Sequence, residues 1–396
     1  MIRVGVIFGG ESVEHEVSII SSIQAMNKMD TEKYEIVPIY ITKDREWYTG
    51  EALKDIEVYQ DLDLLKRYSK NVVLYCKNGR FVLQSKGFFK RTIKEIDIAF
   101  PIVHGTNVED GVLQGYLRSI GIPFVGSDVT AAAISQDKII QKQVFESADL
   151  PMADYVWFFD TEYQDDKDSI IKKIEKMKYP VIVKPATLGS SVGISKANNK
   201  EELEHAIEDA IIYDNKIVVE EIVENLKEVN ISILGNYEHM NCSVIEQVMT
   251  VNDLLTYEDK YIGGSKKNPK SSKGMASAAR KIPADISDKL KEEVENIAFK
   301  AFRELNSSGV VRIDFLIDDK KKKVYINEIN SCPGSLSFYL WEPTGKDYSE
   351  LLDDMINIAI KDYKRRINKT HSFESNILSG FAGTKGIKGL KGLKNK

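Results

Sequence analysis

The chain has 396 residues, 42 % hydrophobic and 29 % charged, a balance that excludes global disorder and supplies enough apolar side chains for two or three packed domains. Its 55 Lys and Arg against 60 Asp and Glu give a net charge of −5, with no global excess of positive charge to point to nucleic acid or an anionic membrane. Cys76, Cys242 and Cys332 lie far apart without a CxxC pair, and no apolar run reaches signal-peptide or membrane-span length, so a disulfide framework and a cysteine zinc site are not expected and the expected location is cytoplasmic, without membrane insertion.

Arg3 to Phe8 reads as a buried strand, Gly9-Gly10 as a turn, and a helix is predicted to start near Ser12 as N-cap, with Val13, Val17 and Ile20 on one face. This strand–glycine–helix unit is how open α/β sheets begin. Tyr34 to Ile41 is the next predicted strand, and Lys77-Asn78-Gly79-Arg80 marks a hairpin. Ile96 to Val103 predicts another buried strand. Helical patterns follow around Thr130–Ala148 and Asp168–Met177, then a strand at Val181–Lys184, a small-residue loop Pro185–Gly193 and a helix around Lys200–Ile212. Ile217–Glu221, Ile231–Leu234, Ser243–Gln247, Val310–Leu316 and Lys323–Ile329 read as strands. Lys260–Ala284, rich in Lys, Ser and Gly, reads as a mobile loop. From Thr384 onward glycine recurs every third residue among lysines, which disfavours a helix and predicts a flexible basic tail.

Neither GxxxxGK[ST] nor a GxGxxG after the first strand is present, so nucleotide use would need other pieces. Glu14, in the first predicted helical turn after Gly9-Gly10, either complements the helix dipole or pairs with a substrate ammonium at the sheet's C-terminal edge. His104-Gly105-Thr106-Asn107-Val108-Glu109-Asp110-Gly111 places a histidine, two carboxylates and glycines just after a buried strand, where loops commonly carry function. His15, His205 and His239 fall in polar contexts and read as exposed. Lys184 precedes Gly189-Ser190-Ser191-Val192-Gly193; such a loop is either a simple hairpin turn or a set of backbone N–H groups that grip phosphate beside a fixed charge. Lys138 is a second candidate phosphate contact.

Arg312-Ile313-Asp314 and Glu328-Ile329-Asn330 each project their first and third side chains to one face of a strand. If the strands are neighbours, Asp314, Glu328 and Asn330 converge as hard oxygen ligands suited to Mg²⁺, and Arg312 could stabilise an oxyanion. The alternative is a surface ion pair between Arg312 and a carboxylate. Unpaired buried charge in apolar strands is costly, which favours a site.

In this order the pieces resemble the ATP-grasp superfamily, and within it the D-alanine–D-alanine ligase family. Gly9–Ser18 match GGxSxExxVS, His104–Gly115 match HGxxGEDGxxQG except at Val108, Ser135–Lys142 match SxDKxxxK, and Lys184–Gly193 match KPxxxGSSVG. Tyr257–Tyr261, Gly309–Asp314 and Glu328–Gly334 match YxxKY, GxxRxD and ExNxxPG. The resemblance covers roughly residues 1–360. It implies an α/β, three-domain ATP-grasp architecture: an N-terminal open α/β sheet domain over 1–128, a central ATP-grasp lid over 129–218, a C-terminal domain with the metal site over 219–366, and the flexible basic tail over 367–396.

The resemblance also implies roles. Glu14 would receive the ammonium of the first D-amino acid, and Ser190 and Tyr261 would link that glutamate to the closing loop. Lys138, Lys184 and Lys260, with Ser191, would hold ATP phosphates; Glu220 or Glu221 would contact adenine and Glu228 the ribose. Asp314, Glu328 and Asn330 would bind two Mg²⁺ or Mn²⁺ ions. Arg312 and the Gly334 N–H would stabilise the oxyanion, and His104, Glu109 and Tyr339 would line the substrate site. The implied reaction joins two D-alanines for peptidoglycan precursors: ATP converts a carboxylate to an acyl phosphate, an amine attacks it, and phosphate leaves. A homodimer formed through the N-terminal domain is implied as well.

The sequence departs from the family pattern in four places. Val108 replaces a glycine, and a β-branched residue disfavours positive φ. The Glu220–Glu228 hinge is one residue longer, and the loop after Tyr261 is longer and more basic. PGMTxxS appears as Pro333-Gly334-Ser335-Leu336-Ser337-Phe338-Tyr339, with Tyr339 where a serine is expected, so the acceptor could be D-serine, D-lactate or another amino acid. Tyr261 argues against D-lactate. A different class of reading is a nucleotide-binding scaffold that no longer ligates.

Overall fold

The computed structural model describes residues 1–249 and 280–370. The predicted mobile loop, apart from its end at 280–284, and the predicted basic tail beyond 370 lie outside the described residues. Met1–Ile360 pack as one compact unit.

The first sheet is built from β1 (Ile2–Gly9), β2 (Tyr34–Ile41), β3 (Trp47–Thr49), β4 (Lys70–Lys77), β5 (Arg80–Ser85), β6 (Thr92–Ile96) and β7 (Ile98–Pro101), in the order β6-β5-β4-β3-β2-β1-β7. Only β2-β1-β7 run parallel. Parallel strands are covered on both faces, which is why β1 and β2 read as nearly continuous apolar runs rather than alternating ones. Helix α1 (His15–Lys28) packs on β1 and delivers the loop after it to the strand ends. Lys77 and Arg80 face each other across the predicted hairpin.

Helix α1 begins at His15, not near Ser12. Gly9 and Gly10 both adopt positive φ, and the Ser12 hydroxyl accepts from the Glu14 N–H at 3.1 Å. Ser12 therefore caps a turn that precedes the helix, and Val13 is left exposed. His15 is buried, not exposed as its polar neighbours implied: Nδ1 lies 2.6 Å from the Gly10 carbonyl and Nε2 2.9 Å from the Tyr40 hydroxyl.

Helices α2 (Leu62–Tyr68) and α3 (Val112–Ile120) complete the N-terminal layers. The helical pattern at Thr130–Ala148 is two helices, α4 (Val129–Gln136) and α5 (Lys138–Ser147), split at Asp137. The Asp137 carboxylate accepts from the N–H groups of Ile139 and Ile140, capping the second helix.

The second sheet contains β8 (Tyr155–Phe159), β9 (Val181–Pro185), β10 (Ser195–Ala197) and β11 (Lys216–Glu221), antiparallel in the order β10-β9-β11-β8. Helices α6 (Asp160–Asp165), α7 (Lys167–Ile174) and α8 (Lys200–Ile211) supply apolar residues to the cluster beneath it. The third sheet has β12 (Leu226–Gly235), β13 (Met240–Cys242), β14 (Glu246–Val248), β15 (Arg280–Lys281), β16 (Gly309–Asp318) and β17 (Lys323–Asn330). Its order is β15-β14-β12-β16-β17, with β13 also on β12, all antiparallel. The predicted strand Ser243–Gln247 is thus the link between β13 and β14 plus part of β14. Helix α9 (Asp288–Glu304) packs its Leu290, Val294, Ala298 and Phe302 face beneath this sheet. Helix α10 (Tyr348–Ile367) starts within the compact unit and runs past its end.

Candidate active site

A cavity of about 760 Å³ lies between the strand ends of the first sheet and the faces of the second and third. Among the predicted residues, Glu14, His104, Glu109, Lys138, Lys184, Ser190, Ser191, Glu220, Glu221, Glu228, Arg312, Asp314, Glu328, Asn330 and Gly334 all line it. Tyr339 packs just behind its wall. Lys260 and Tyr261 lie outside the described residues.

Glu14 is buried at one end, at the N-cap position of α1. Two glycines make room for it. A Cβ on Gly189 would stand 2.6 Å from Glu14 Oε2, and one on Gly105 would stand 3.0 Å from the same oxygen and 2.2 Å from Ser12 Oγ. The Ser190 hydroxyl donates to Glu14 Oε1 across the cleft, from a residue held at positive φ. Three segments distant in the sequence thus meet on one carboxylate.

Behind Glu14 sits Glu109, also buried. Its Oε2 accepts from the Gly105 N–H at 2.9 Å, and its Oε1 accepts from the Cys332 N–H at 3.0 Å and the Ser331 hydroxyl at 3.3 Å. Burial, with Glu14 adding to it, pushes the Glu109 carboxyl up to about 8 despite those donors. Burial lowers His104 to about 4, so its ring is neutral; Nε2 lies 3.1 Å from Ser21 Oγ. Val108 does not take the positive φ; Asn107 and Gly105 do. The valine instead packs against Gly10, where a Cβ would meet its Cγ1 at 2.4 Å.

At the other end, β9 and β11 bring Lys184 to Glu220 at 2.8 Å, and α5 brings Lys142 to the same carboxylate at 3.2 Å. Burial alone would raise Glu220, but the two ammonium groups carry it down to about 2. Burial opposes the charge on Lys184 too, yet Glu220 holds it above its ordinary value. The Glu220 side chain is therefore the partner of two lysines, and Glu221 is the more open of the two neighbouring carboxylates. Lys142 stands in the SxDKxxxK match, yet its helical context gave it no role; the spacing of four from Lys138 was the available signal. Lys138 donates to the Leu188 carbonyl at 2.6 Å and lies 3.7 Å from Glu328, and its backbone N–H donates to the Ala186 carbonyl at 3.0 Å.

The third sheet supplies a row of polar side chains. Glu328 faces Asp314, Asp314 faces Asn230 and Asn230 faces Glu246 across β17, β16, β12 and β14. Cross-strand partners share a face, so the four point into one space. Asn330 donates to Asp314 Oδ2 at 3.3 Å. Two carboxylates and an amide oxygen side by side fit a hard divalent cation that takes its remaining ligands from phosphate and water. Arg312 makes a two-point ion pair with Asp314, at 2.6 and 2.7 Å. Both side chains are mostly buried, so this is not a surface pair.

Gly334 opens a short segment, Gly334–Leu340, in which Ser335, Leu336 and Ser337 all have positive φ. Such residues cost roughly 1–2 kcal/mol each. Helix α1 holds them in place: the Ser335 N–H donates to Ser21 Oγ at 3.0 Å and its hydroxyl to Gln24 Oε1 at 2.7 Å. The turn delivers Tyr339 to the sheet, where its hydroxyl lies 3.2 Å from Glu246 Oε1 and its ring lies 4.2 Å beneath the Arg280 guanidinium. Burial, with Glu246 beside it, pushes the Tyr339 phenol up to about 12, so the hydroxyl keeps its proton and donates to Glu246. Glu246 and Arg280 carried no sequence signal; only the pairing of β14 with β12 and β15 shows them on the cavity wall.

Two family models match the chain: D-ala D-ala ligase N-terminus over residues 3–127 and D-ala D-ala ligase C-terminus over residues 144–357. Among curated proteins, the D-alanine–D-alanine ligase of Thermosipho melanesiensis is 38 % identical over 379 residues, covering 96 % of this chain and 98 % of its own length. That of Macrococcus caseolyticus is 40 % identical, covering 92 % and 96 %. Among solved structures, the D-alanine-D-alanine ligase of Coxiella burnetii superposes with a TM-score of 0.76 at 26 % identity, covering 93 % of this chain and 97 % of that one. The VanG D-Ala:D-Ser ligase of Enterococcus faecalis gives 0.75 at 28 % identity, covering 90 % and 99 %. With both halves matched, relatives aligned nearly end to end and the ATP-grasp arrangement of sheets in common, the chain belongs to the D-alanine–D-alanine ligase family of ATP-dependent ligases.

Proposed function

We propose that the chain joins two D-alanines into D-alanyl-D-alanine, activating the first as D-alanyl phosphate at the expense of ATP. The observation that carries this reading is the buried Glu14–Ser190 contact, set in one cavity with the Lys184–Glu220 pair and the Asp314–Glu328 row. Glu14 offers a fixed anion for the ammonium of the first substrate, and Ser190 keeps that carboxylate turned toward it. Lys138 and Lys184, beside the backbone of Gly189–Ser191, hold the nucleotide phosphates; Glu221 and Glu228 face the nucleoside end.

Asp314, Glu328 and Asn330 would hold Mg²⁺ or Mn²⁺, which when bound offsets charge on the transferring phosphoryl group. Arg312 and the Gly334 N–H would stabilise the oxyanion that forms when the second amine attacks the acyl carbon. A carboxylate is a poor electrophile, and phosphorylation supplies the leaving group. No protein nucleophile is required.

The test is phosphate release from ATP with a panel of D- and L-amino acids, singly and in pairs, with products identified by mass. Release with D-alanine alone, yielding the dipeptide, is expected. Release only when a second amino acid is added would move the acceptor to D-serine or another amino acid. No release with any pair, despite ATP binding, would overturn the ligase reading. Glu328→Gln separates a ligase from a scaffold: a ligase loses turnover by about a thousandfold or more, whereas a scaffold loses nucleotide affinity alone.

A further inference from the structure

We propose that His15 is a positioning residue for the donor amino acid's site: its ring, held in one tautomer by Tyr40, fixes the Gly9–Glu14 turn and so the direction of the Glu14 carboxylate. This rests on the ligase reading above and adds a residue that stands behind its first substrate.

Glu14 can offer a fixed anion to the donor only if the turn before it keeps one shape. Gly9 and Gly10 both have positive φ, and glycine resists a change of backbone conformation weakly, so the turn needs ties. Its own backbone supplies some. The Ser12 N–H donates to the Gly10 carbonyl at 3.1 Å, and the Glu14 N–H donates to Ser12 Oγ at 3.1 Å. The Gly10 N–H donates to the Ile41 carbonyl at 2.7 Å. Among the described residues, the side chain that reaches the Gly10 carbonyl is His15, through Nδ1 at 2.6 Å.

The chemistry of the partners settles the tautomer. A carbonyl oxygen can only accept, so Nδ1 carries the hydrogen. Burial holds the imidazole below its ordinary range, so Nε2 is a bare acceptor and takes the Tyr40 hydroxyl hydrogen at 2.9 Å. That hydroxyl keeps its hydrogen, because burial pushes the phenol up to about 12. Tyr40 is set in the core, with its ring 5.7 Å from Phe8 and 5.1 Å from Tyr59. It also flanks the turn directly: a Cβ on Gly9 would stand 2.8 Å from its ring. The tie therefore runs from β2 through the imidazole to Gly10, and Glu14 lies on the stretch of chain that it closes. Space filling does not account for the histidine, since an apolar side chain would fill the same place without desolvating two ring nitrogens.

The test uses the full chain and phosphate release, with donor, acceptor and ATP constants resolved by varying D-alanine and ATP. It compares His15→Asn with His15→Gln, because an asparagine amide stands near the place of Nδ1 and a glutamine amide near that of Nε2. His15→Gln is expected to raise the donor constant about 5- to 10-fold, the loss of one hydrogen bond, with the acceptor and ATP constants within about twofold. His15→Asn, which still donates to Gly10, should recover most of that loss. Tyr40→Phe should raise the donor constant about threefold in the wild-type chain and leave it unchanged in the His15→Asn chain, since Tyr40 acts through Nε2. If the glutamine variant does not fold, Tyr40→Phe in those two backgrounds decides the matter. Equal losses for donor and ATP, equal behaviour of asparagine and glutamine, or an equal Tyr40→Phe effect in both backgrounds would overturn the proposal while leaving the ligase reading intact. A wild-type chain with no D-alanine-dependent release would overturn both.

Discussion

The Lys142 ammonium lies 3.2 Å from the Glu220 carboxylate, which on its other side meets Lys184 at 2.8 Å. All three side chains are buried or nearly so. Glu220 is thus the shared anchor that fixes one lysine facing the cavity and one beneath it.

Removing Lys142 takes away one of two buried partners and leaves Glu220 paired with Lys184. Lys142→Met is expected to lower unfolding free energy by about 1.5–3 kcal/mol, the contribution of a hydrogen bond to a charged group, measured by urea denaturation, and Lys142→Arg by much less. The Glu220 carboxyl is depressed to about 2, so its contribution is present above the ordinary carboxylate range and is lost as pH falls toward 2. A methionine variant with wild-type stability would refute the anchoring role.

Ser190→Ala removes a hydrogen bond to a charged group, a contribution of about 1.5–3 kcal/mol. The expected result is a loss of about 10- to 100-fold in kcat/KM for the donor amino acid, with ATP affinity unchanged. Steady-state rates at saturating ATP decide it; an effect confined to ATP would contradict the assignment.

Gly189→Ala isolates the space around Glu14. The added methyl would stand 2.6 Å from Glu14 Oε2, and Gly189 has no positive φ that would add backbone strain. The donor KM should rise at least several-fold, by about 1 kcal/mol or more of lost fit, while thermal stability changes little. A drop in stability without a KM effect would show that the carboxylate simply moves aside.

Glu109 gives a pH signature. Its carboxyl is raised to about 8 by burial and by Glu14, so the folded chain binds a proton that the unfolded chain releases. Its contribution is fully present below about 4.5 and is lost as pH rises through 8. Glu109→Gln should flatten that decline in urea-denaturation free energies measured across the interval. An equally steep decline in the variant would place its origin elsewhere.

Local patterns were sufficient for some of the strands but not for short ones such as Trp47–Thr49 and Ser195–Ala197. Tyr34–Ile41 and Lys323–Asn330 follow from apolar runs and alternation, and the Lys77–Arg80 turn follows from Asn-Gly. The start of α1 was misread because Ser12 is a good N-cap residue, but it caps the turn that two glycines impose. His15 looked exposed because its chain neighbours are acidic; its partners, Gly10 and Tyr40, come from the turn and from β2. The motif residues of the site were visible as ordered fragments. Glu246 and Arg280 were not, and Lys142 closes SxDKxxxK without a role of its own there, because each becomes meaningful only through pairing with a residue far away in sequence or through strand register.

The polar row on the third sheet runs from Glu328 on β17 to Glu246 on β14, with β16 and β12 between them. Its two ends are therefore chemically separate but mechanically one plate. On the proposed function, substitutions on β14 and the Tyr339 turn would retune which acceptor is taken without disturbing the carboxylates at the opposite margin. A one-residue slip of β12, by contrast, would turn Asn230 away from the cavity and break the row between its two ends. On the proposed function, that arrangement would let the acceptor end drift while the carboxylates of the other end stay in place.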